Sequence, residues 1–178
     1  MYEELDLYIG VKLVGLKAMT RGAYNTYRGW DLPSDEDGTD EGYLVEYKDG
    51  GKANHPEHVG YISWSPKEVA DKAYRLTEGM TFGMAVEALK KGYKVRRSGW
   101  NGSYKVRRGV SQEGMWLLLV PGSPDIKPVA GTPYSNAGLI QSISIDAHID
   151  MFTVQGTMQP GWLASQADML ADDWELVI

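Results

Sequence analysis

The stretch that most constrains the fold is MFTVQGTMQPGWLASQADMLADDW, residues 151–174, because turn and helix signals interrupt it every few positions. Pro160-Gly161 has the composition of a type II turn, since proline presets φ at the second turn position and glycine tolerates the positive φ required next. Trp162 follows this turn directly. A segment interrupted in this way can form only short elements.

A short helix is predicted after the turn. Ser165 stands three residues before Asp168, which is a near relative of the capping box that begins many helices. With Gln166 between them, these residues supply a hydroxyl, an amide and a carboxylate close to the indole of Trp162. Groups of these kinds recognise a sugar or a nucleotide.

The remaining sequence predicts an α+β fold, an antiparallel sheet with a few short helices. The most apolar strand, 114–120, is expected to be central in its sheet, and the Pro- and Gly-rich segment 121–141 is expected to be irregular. One helix is expected to start at Ser65-Pro66, with serine as the cap and proline at the first helical position. Strands are predicted at 8–16, 42–48, 59–64, 93–96, 114–120, 143–154 and 174–178, and helices at 20–28, 65–74, 81–91 and 165–171.

Two domains are predicted, joined near residues 76–79: a small α+β unit over 1–78, of unknown role, and a second unit over 79–178. Residues 1–78 carry 15 acidic and 9 basic side chains and residues 79–178 carry 9 of each, so the first unit accounts for the whole net charge of −6. An acidic chain is a poor general binder of nucleic acid polymers, because phosphate neutralisation supplies most non-specific affinity. The basic residues of 94–108 can still hold one small anion.

The first ten residues lack the basic and apolar regions of a signal peptide, and no run of about 18 apolar residues predicts a membrane span. We therefore expect a cytoplasmic protein without a membrane partner. The sequence has no cysteine, which excludes disulfides, thiolate catalysis and Cys-based zinc sites. His55 and His58 are interpreted as solvated loop residues rather than ligands, and no metal or cofactor is predicted.

Several motifs follow one another in residues 80–178: TFGMAVEALKKG, KVRR, SGWNG, MWLLLVPGS, HIDMFTVQG and PGWLASQADMLADDWELV. In this order they resemble the phage anti-defence family known as Thoeris anti-defence 2. The resemblance implies a sponge, a protein that binds cyclic ADP-ribose-type immune signals (glyco-cyclic ADP-ribose), and in some members cyclic dinucleotides, without degrading them. It further implies a homo-oligomer, a tetramer in the family, with pockets between subunits, in the cytoplasm of the infected host. Residues 79–178 would be the ligand-binding domain.

Trp100 and Trp162 are the candidates for stacking on adenine, because each stands beside a glycine in a turn that can display a ring. Such stacking contributes on the order of 1–3 kcal/mol. The alternative for both is packing in a core or an interface. A pyrophosphate can be met by Arg96 or Arg97, but adjacent strand residues point to opposite faces, so only one of the two can face it.

Polar residues near these rings are candidates for hydrogen bonds to ribose or base edges. Helix capping is an equally adequate explanation for Ser165 and Asp168. His148 would share a strand face with Asp150, but no nucleophile accompanies the pair, and no catalytic residue is predicted. The polar candidates are Asn101, Asp150, Ser165, Gln166 and Asp168.

Two other functions stay open. An enzyme that degrades nucleotide signals is disfavoured, because the sequence contains no HExxH, GxSxG, P-loop or Gly-rich dinucleotide motif. A phage structural or interaction module would use the acidic first unit. A sponge returns its ligand intact, an enzyme turns it over, and a structural module binds none.

Overall fold

The computed structural model describes residues 10–100, 105–107, 110–112 and 114–177. The chain folds into two compact units, residues 1–75 (unit 1) and residues 76–178 (unit 2). Both units combine antiparallel strands with short helices, which confirms the predicted α+β class. No helix in the described part of the chain is long and apolar enough to cross a membrane.

Unit 1 has the predicted β-α-β-β-α order. Its elements are β1 (Val14–Ala18), α1 (Arg21–Arg28), β2 (Gly42–Tyr47), β3 (Ile62–Pro66) and α2 (Lys67–Ala73). The three strands form an antiparallel sheet in the order β1-β2-β3, so strands that follow one another in sequence are also neighbours in space.

The alternation of side chains along β2 explains why unit 1 needs two helices. Leu44 and Val45 are 5% and 1% exposed, and as neighbours on a strand they point to opposite faces of the sheet. Leu44 packs in one cluster with Tyr24 of α1. On the other face, the Tyr43 hydroxyl donates a hydrogen bond to Asp71 Oδ1 of α2 at 2.9 Å. Each helix therefore covers one face of the sheet.

Two predictions for unit 1 are wrong. Helix α2 begins at Lys67 without a side-chain cap, because Ser65 and Pro66 continue β3 and pair with β2. Strand pairing has overridden a local capping signal here. His55 and His58 are half-buried rather than solvated, since both rings contact the ring of Tyr27.

Unit 2 is built around a five-stranded antiparallel sheet. Its elements are α3 (Phe82–Lys90), β4 (Lys94–Arg97), β5 (Lys105–Arg107), β6 (Val110–Gln112), β7 (Trp116–Val120), β8 (Ser123–Ile126), α4 (Pro133–Asn136), β9 (Ile143–Ile145), β10 (His148–Phe152), β11 (Met158–Gln159), α5 (Gln166–Met169) and β12 (Trp174–Val177). The strand order is β11-β10-β7-β4-β12, and β5-β6 and β8-β9 form separate pairs. The most apolar strand, β7, is central, as predicted.

Helix α3 supplies the core of unit 2. The side chain of Thr81 caps it by accepting a hydrogen bond from Met84 N at 3.3 Å, as the sequence predicts. Its inward residues, Ala85 and Leu89, are 0% and 2% exposed and pack in one cluster with Trp174 of β12, which is 0% exposed. The apolar residues that repeat with helical periodicity in the sequence therefore form the buried face of α3.

The edge of the sheet beside β12 is covered by the segment that precedes α3. Met80 N donates to Trp174 O at 2.8 Å, and Trp174 N donates to Met80 O at 3.1 Å. Leu176 N donates to Thr77 O at 2.9 Å. The first and last segments of unit 2 are therefore hydrogen-bonded neighbours.

The expectation that 121–141 is irregular is partly wrong. Strand β8 pairs with β9, although the register shifts between Ser123 and Ile126, where Asp125 has φ +56°. One helical turn, α4, follows. Strand β8 contains a proline and its register shifts, so its sequence does not show the regular alternation of apolar and polar residues that predicts a strand. Helix α5 ends at Met169, two residues earlier than predicted.

Candidate ligand-binding site

Three indole rings meet at one end of the unit 2 core, and we call Trp100, Trp162 and Trp174 the tryptophan corner. The Trp100 ring centroid lies 5.9 Å from that of Trp162 and 5.5 Å from that of Trp174. Trp162 and Trp174 are 6.2 Å apart, and all three pairs are edge-to-face. Trp174 is fully buried, whereas Trp100 and Trp162 are half-buried and keep some exposure to solvent.

The turn before Trp162 is fixed by β10. Gly161 has φ +76°, which matches the positive φ predicted for this position. Its amide donates to Asp150 Oδ1 at 3.2 Å, and the next amide, Trp162 N, donates to Ile149 O at 2.7 Å. Asp150 is 8% exposed and thus acts as a buried acceptor that holds the turn. These bonds determine where the Trp162 ring enters the corner.

Helix α5 lies beside the tryptophan corner and is hydrogen-bonded to it. The predicted capping box is present: Ser165 Oγ accepts from Asp168 N at 3.1 Å, and Asp168 Oδ2 accepts from Ser165 N at 3.0 Å. The backbone oxygen of Asp168 accepts a hydrogen bond from Trp174 Nε1 at 3.0 Å. Gln166, the first residue of α5, is exposed. The capping residues thus connect α5 directly to the tryptophan corner.

Arg97 joins β4 to both ends of the segment that carries α5. Its Nη1 donates to Asp168 Oδ1 at 2.9 Å and to Ala167 O at 3.2 Å, and its Nε donates to Asp173 Oδ1. The guanidinium also lies over the Trp174 ring, 5.9 Å from its centroid. The side chain is 20% exposed. Arg97 therefore links β4 to α5 and to Asp173 within the protein, and we call this set of contacts the Arg97 tie.

The charges of this tie reinforce one another. The hydrogen bond from Arg97 lowers the pKa of Asp173 below its usual range, with a further contribution from Ser98. Burial by itself would raise the pKa of Asp168, but the hydrogen bonds from Ser165 and Arg97 outweigh it and lower that pKa as well. The bond to Asp173 likewise raises the pKa of Arg97. Both carboxylates are therefore ionised at neutral pH.

Arg96 points to the opposite face of the sheet. Its Nε donates to Glu175 Oε2 at 2.9 Å, across the β4–β12 pair, and its side chain is 36% exposed. Of the two arginines, only Arg97 lies at the tryptophan corner. Arg96 is thus separated from the other candidate residues.

His148 and Asp150 are neighbours, as expected for two positions on one strand face. His148 Nε2 lies 3.5 Å from Asp150 Oδ1, and Nδ1 lies 2.9 Å from Asp146 O. Both ring nitrogens therefore face oxygen acceptors within the protein. The described residues include no group of three His, Asp or Glu side chains arranged to hold a metal ion.

The structure brings most of the candidate residues together. The corner and its immediate contacts include Trp100, Trp162, Arg97 and Asp168. Ser165 is connected to Asp168 through the capping box, and Asp150 is connected to Trp162 through the Gly161 turn. Gln166 lies on α5, and Asn101 lies outside the described residues.

Sequence reasoning missed the role of Asp173, which follows the predicted helix 165–171, and the hydrogen bond that places Trp174 in the corner. The signal for both lies in the register of β12 on β4, which puts Trp174 opposite Arg97.

In chemical terms, the corner combines two half-buried indoles with an arginine that is paired with two carboxylates. A profile of the Thoeris anti-defense 2-like domain matches residues 80–177, which are more than half of the chain and contain every residue of the corner. The chain belongs to this family.

Family membership supports a phage anti-defence role, and the family is named for anti-defence rather than for an enzymatic activity. One relative, Thoeris anti-defense 2 of Bacillus phage SP01, is 32% identical over 98 residues, which are 55% of this chain and 94% of that protein. Unit 1 lies outside the residues that the profile matches. The Thoeris anti-defense 2-like region thus coincides closely with unit 2.

Proposed function

We propose that the chain is a sponge that binds and sequesters a cyclic nucleotide immune signal of the host without cleaving it. The proposed ligands are glyco-cyclic ADP-ribose isomers, and cyclic dinucleotides are a second candidate class. Residues 79–178 act as the binding domain, in the cytoplasm of the infected cell. The observation that carries this proposal is the family match, because it spans the whole tryptophan corner.

The side chains of the corner suit recognition of such a ligand. Trp100 and Trp162 are half-buried rather than sealed in the core, and stacking of a purine on such a ring contributes on the order of 1–3 kcal/mol. Gln166 is exposed beside them and offers both a donor and an acceptor to ribose hydroxyls. Arg97 is engaged by Asp168 and Asp173, so its share in pyrophosphate binding is limited to donors that this tie does not use.

The acid and base groups of unit 2 favour binding over cleavage. Both nitrogens of His148 face acceptors of the protein, and Asp150 accepts from the Gly161 amide. Asp168 is occupied by the capping box and by Arg97. A general base needs a free lone pair within reach of the proton that it removes. His148, Asp150 and Asp168 each already have a partner within the protein, which favours a structural role for them over proton transfer.

Sequestration demands high affinity, since the sponge must compete with the receptor of the signal. Nanomolar binding corresponds to about −12 kcal/mol, which a small polar ligand reaches only when it is enclosed by preorganised groups. We therefore propose a homo-oligomer, with the tetramer as the expected state, in which pockets form between subunits.

The test is capture and release. The purified full chain is mixed with cyclic ADP-ribose isomers and cyclic dinucleotides, freed of unbound ligand, denatured by heat, and the released molecules are identified by mass spectrometry. Intact ligand at a fixed stoichiometry supports the sponge. Cleaved ligand would favour a degrading enzyme, and no captured ligand would favour a structural module.

Trp100→Ala and Trp162→Ala test the stacking assignment within the same assay. Both variants should lose captured ligand while keeping the oligomeric mass of the wild type, measured by light scattering. Trp30→Ala is the matched control, because Trp30 is 54% exposed and belongs to unit 1. Wild-type capture by both corner variants would refute the assignment.

A further inference from the structure

The arginine at the tryptophan corner is outnumbered by carboxylates. Arg97 Nε donates to Asp173 Oδ1, and Arg97 Nη1 donates to Asp168 Oδ1 at 2.9 Å. The Arg97 tie therefore combines one positive charge with two negative charges and has a net charge of −1 at neutral pH. A guanidinium commonly binds phosphate through such paired donors, but here two carboxylates of the same chain occupy them.

The exposure of these three side chains determines which charge an incoming ligand meets first. Asp173 is 37% exposed, whereas Arg97 and Asp168 are 20% and 16% exposed. The most accessible charge of the tie is therefore a carboxylate. An exposed carboxylate repels a phosphate group, and dissolved salt weakens this repulsion by screening it.

Asp173 is bonded to the turn that carries Trp100. Ser98 Oγ donates to Asp173 Oδ2 at 3.1 Å, and Ser98 N donates to Asp173 O at 3.0 Å. The turn is closed by Trp100 N, which donates to Arg97 O at 3.1 Å. On its other side, Asp173 is followed directly by Trp174, whose ring lies 5.5 Å from that of Trp100. The carboxylate is thus fixed between two residues of the corner.

The other basic residues of β4 point away from the corner. Arg96 pairs with Glu175 on the opposite face of the sheet. Lys94 shares that face, since it is two residues from Arg96 on the strand, and its Nζ lies 5.3 Å from the centroid of the Trp116 ring. Of the basic residues that β4 supplies, Arg97 is thus the one at the corner, and it is already paired.

On the basis of the proposed function, we propose that the tryptophan corner takes the uncharged nucleoside part of the ligand, and that Asp173 excludes phosphate groups from it. Trp100 and Trp162 stack on the base, and the exposed Gln166 bonds to ribose hydroxyls. None of these contacts requires a charge. The phosphates of the ligand point away from the Arg97 tie. Asp173 is therefore a specificity-determining residue that selects by charge.

The experiment compares adenosine with adenosine 5′-monophosphate (AMP), because the two probes share a nucleoside and differ by a phosphate group. Binding of each probe to the purified full chain is measured by calorimetry at low salt. We expect adenosine to bind at least about tenfold more tightly than AMP. This preference should decrease as sodium chloride is raised to about 1 M, where the Debye length is about 3 Å.

Asp173→Asn tests the residue itself, because it removes the negative charge and keeps both the size of the side chain and an acceptor for Arg97. This variant should lose most of the preference for adenosine. Glu175→Gln is the matched control, since it also removes the carboxylate of an arginine pair between β12 and β4, but on the opposite face. It should keep the wild-type preference.

Four results would overturn the proposal: wild-type protein that binds neither probe, AMP binding as tight as that of adenosine, an unchanged preference in Asp173→Asn, or an equal loss of preference in Glu175→Gln. Capture of an intact cyclic signal is measured in parallel. Capture without a preference for adenosine would keep the proposed function and refute the role of Asp173. A preference for adenosine without capture would refute the sponge and support charge selection at the corner.

Discussion

Arg97→Ala is the most informative single substitution, because it separates the internal tie of the tryptophan corner from ordinary surface charge. It removes the donors to Asp168 and Asp173 and the cation above Trp174. It leaves two carboxylates next to a buried core without their common partner. We therefore expect unit 2 to be destabilised.

The magnitude follows from exposure. Hydrogen bonds to charged groups contribute about 1.5–3 kcal/mol when buried, and exposed ion pairs about 0–1 kcal/mol. Arg97 and Asp168 are 20% and 16% exposed, so their bond is assigned about 1.5 kcal/mol at the lower end of that range. Asp173 is 37% exposed and is assigned about 0.5 kcal/mol. The expected total loss is about 2 kcal/mol.

Urea unfolding followed by tryptophan fluorescence measures this loss, since three indoles report on the corner. Arg96→Ala is the matched control on the same strand: it loses one pair of a side chain that is 36% exposed, so about 0.5 kcal/mol is expected. Because the folded-state pKa values of Asp168 and Asp173 are lowered, the stabilisation is complete above about pH 4 and is lost as the pH falls through those values. The cost of Arg97→Ala should therefore be smaller at pH 3 than at pH 7. An equal or larger cost for Arg96→Ala at neutral pH would refute the reasoning.

Three further predictions concern single positions. Trp174→Phe removes part of a fully buried ring and its bond to Asp168 O, so it should lower the unfolding free energy of unit 2 by about 2–3 kcal/mol in a urea titration. Gly161→Ala meets no atom within 4 Å, so its cost of about 1–2 kcal/mol arises from φ +76° alone, whereas Gly99→Ala, which lacks a positive φ, should leave the melting temperature unchanged. The pKa of Glu46 is about 2, below the usual value of about 4.3. Its carboxylate therefore stabilises unit 1 above the usual pKa, and this stabilisation is lost as the pH falls towards 2. In Glu46→Gln, the stability of unit 1 should depend less on pH in this range, as measured by circular dichroism during acid unfolding.

The elements that sequence reasoning predicted well are those specified by nearby residues. Helix α3 needs only the cap at Thr81 and its own apolar period, and α1 needs only Thr20 before it and a glycine with φ +69° after it. Strand β7 was placed at the centre of its sheet because an unbroken apolar run must be covered on both faces. By contrast, Ser65-Pro66 carries a valid local signal that pairing with β2 overrides.

Sequence reasoning predicted which residues make up the candidate site better than it predicted the hydrogen bonds between them. The capping box and the Gly161 turn are local, and the structure contains both. The tie from Arg97 to Asp173 is not local, because it exists only in the register that sets β12 beside β4. The contacts of Tyr27 in α1 with His55 and His58 are likewise not local, because they depend on the position of the loop that carries the two histidines. Ligand contact by Trp100 and Trp162 stays a prediction.

The covered edge of β12 has a consequence for how this protein is made. Strand β12 lies between β4 and residues 77–80, so the sheet cannot be completed until Trp174 has left the ribosome. Unit 1 can fold while unit 2 is still being translated, because domains generally fold as units in the order of synthesis. A product that stops before Trp174 would keep an open strand edge and a core without its largest buried side chain. Such products would be exposed to host proteases, whereas the finished unit has both edges of β12 paired.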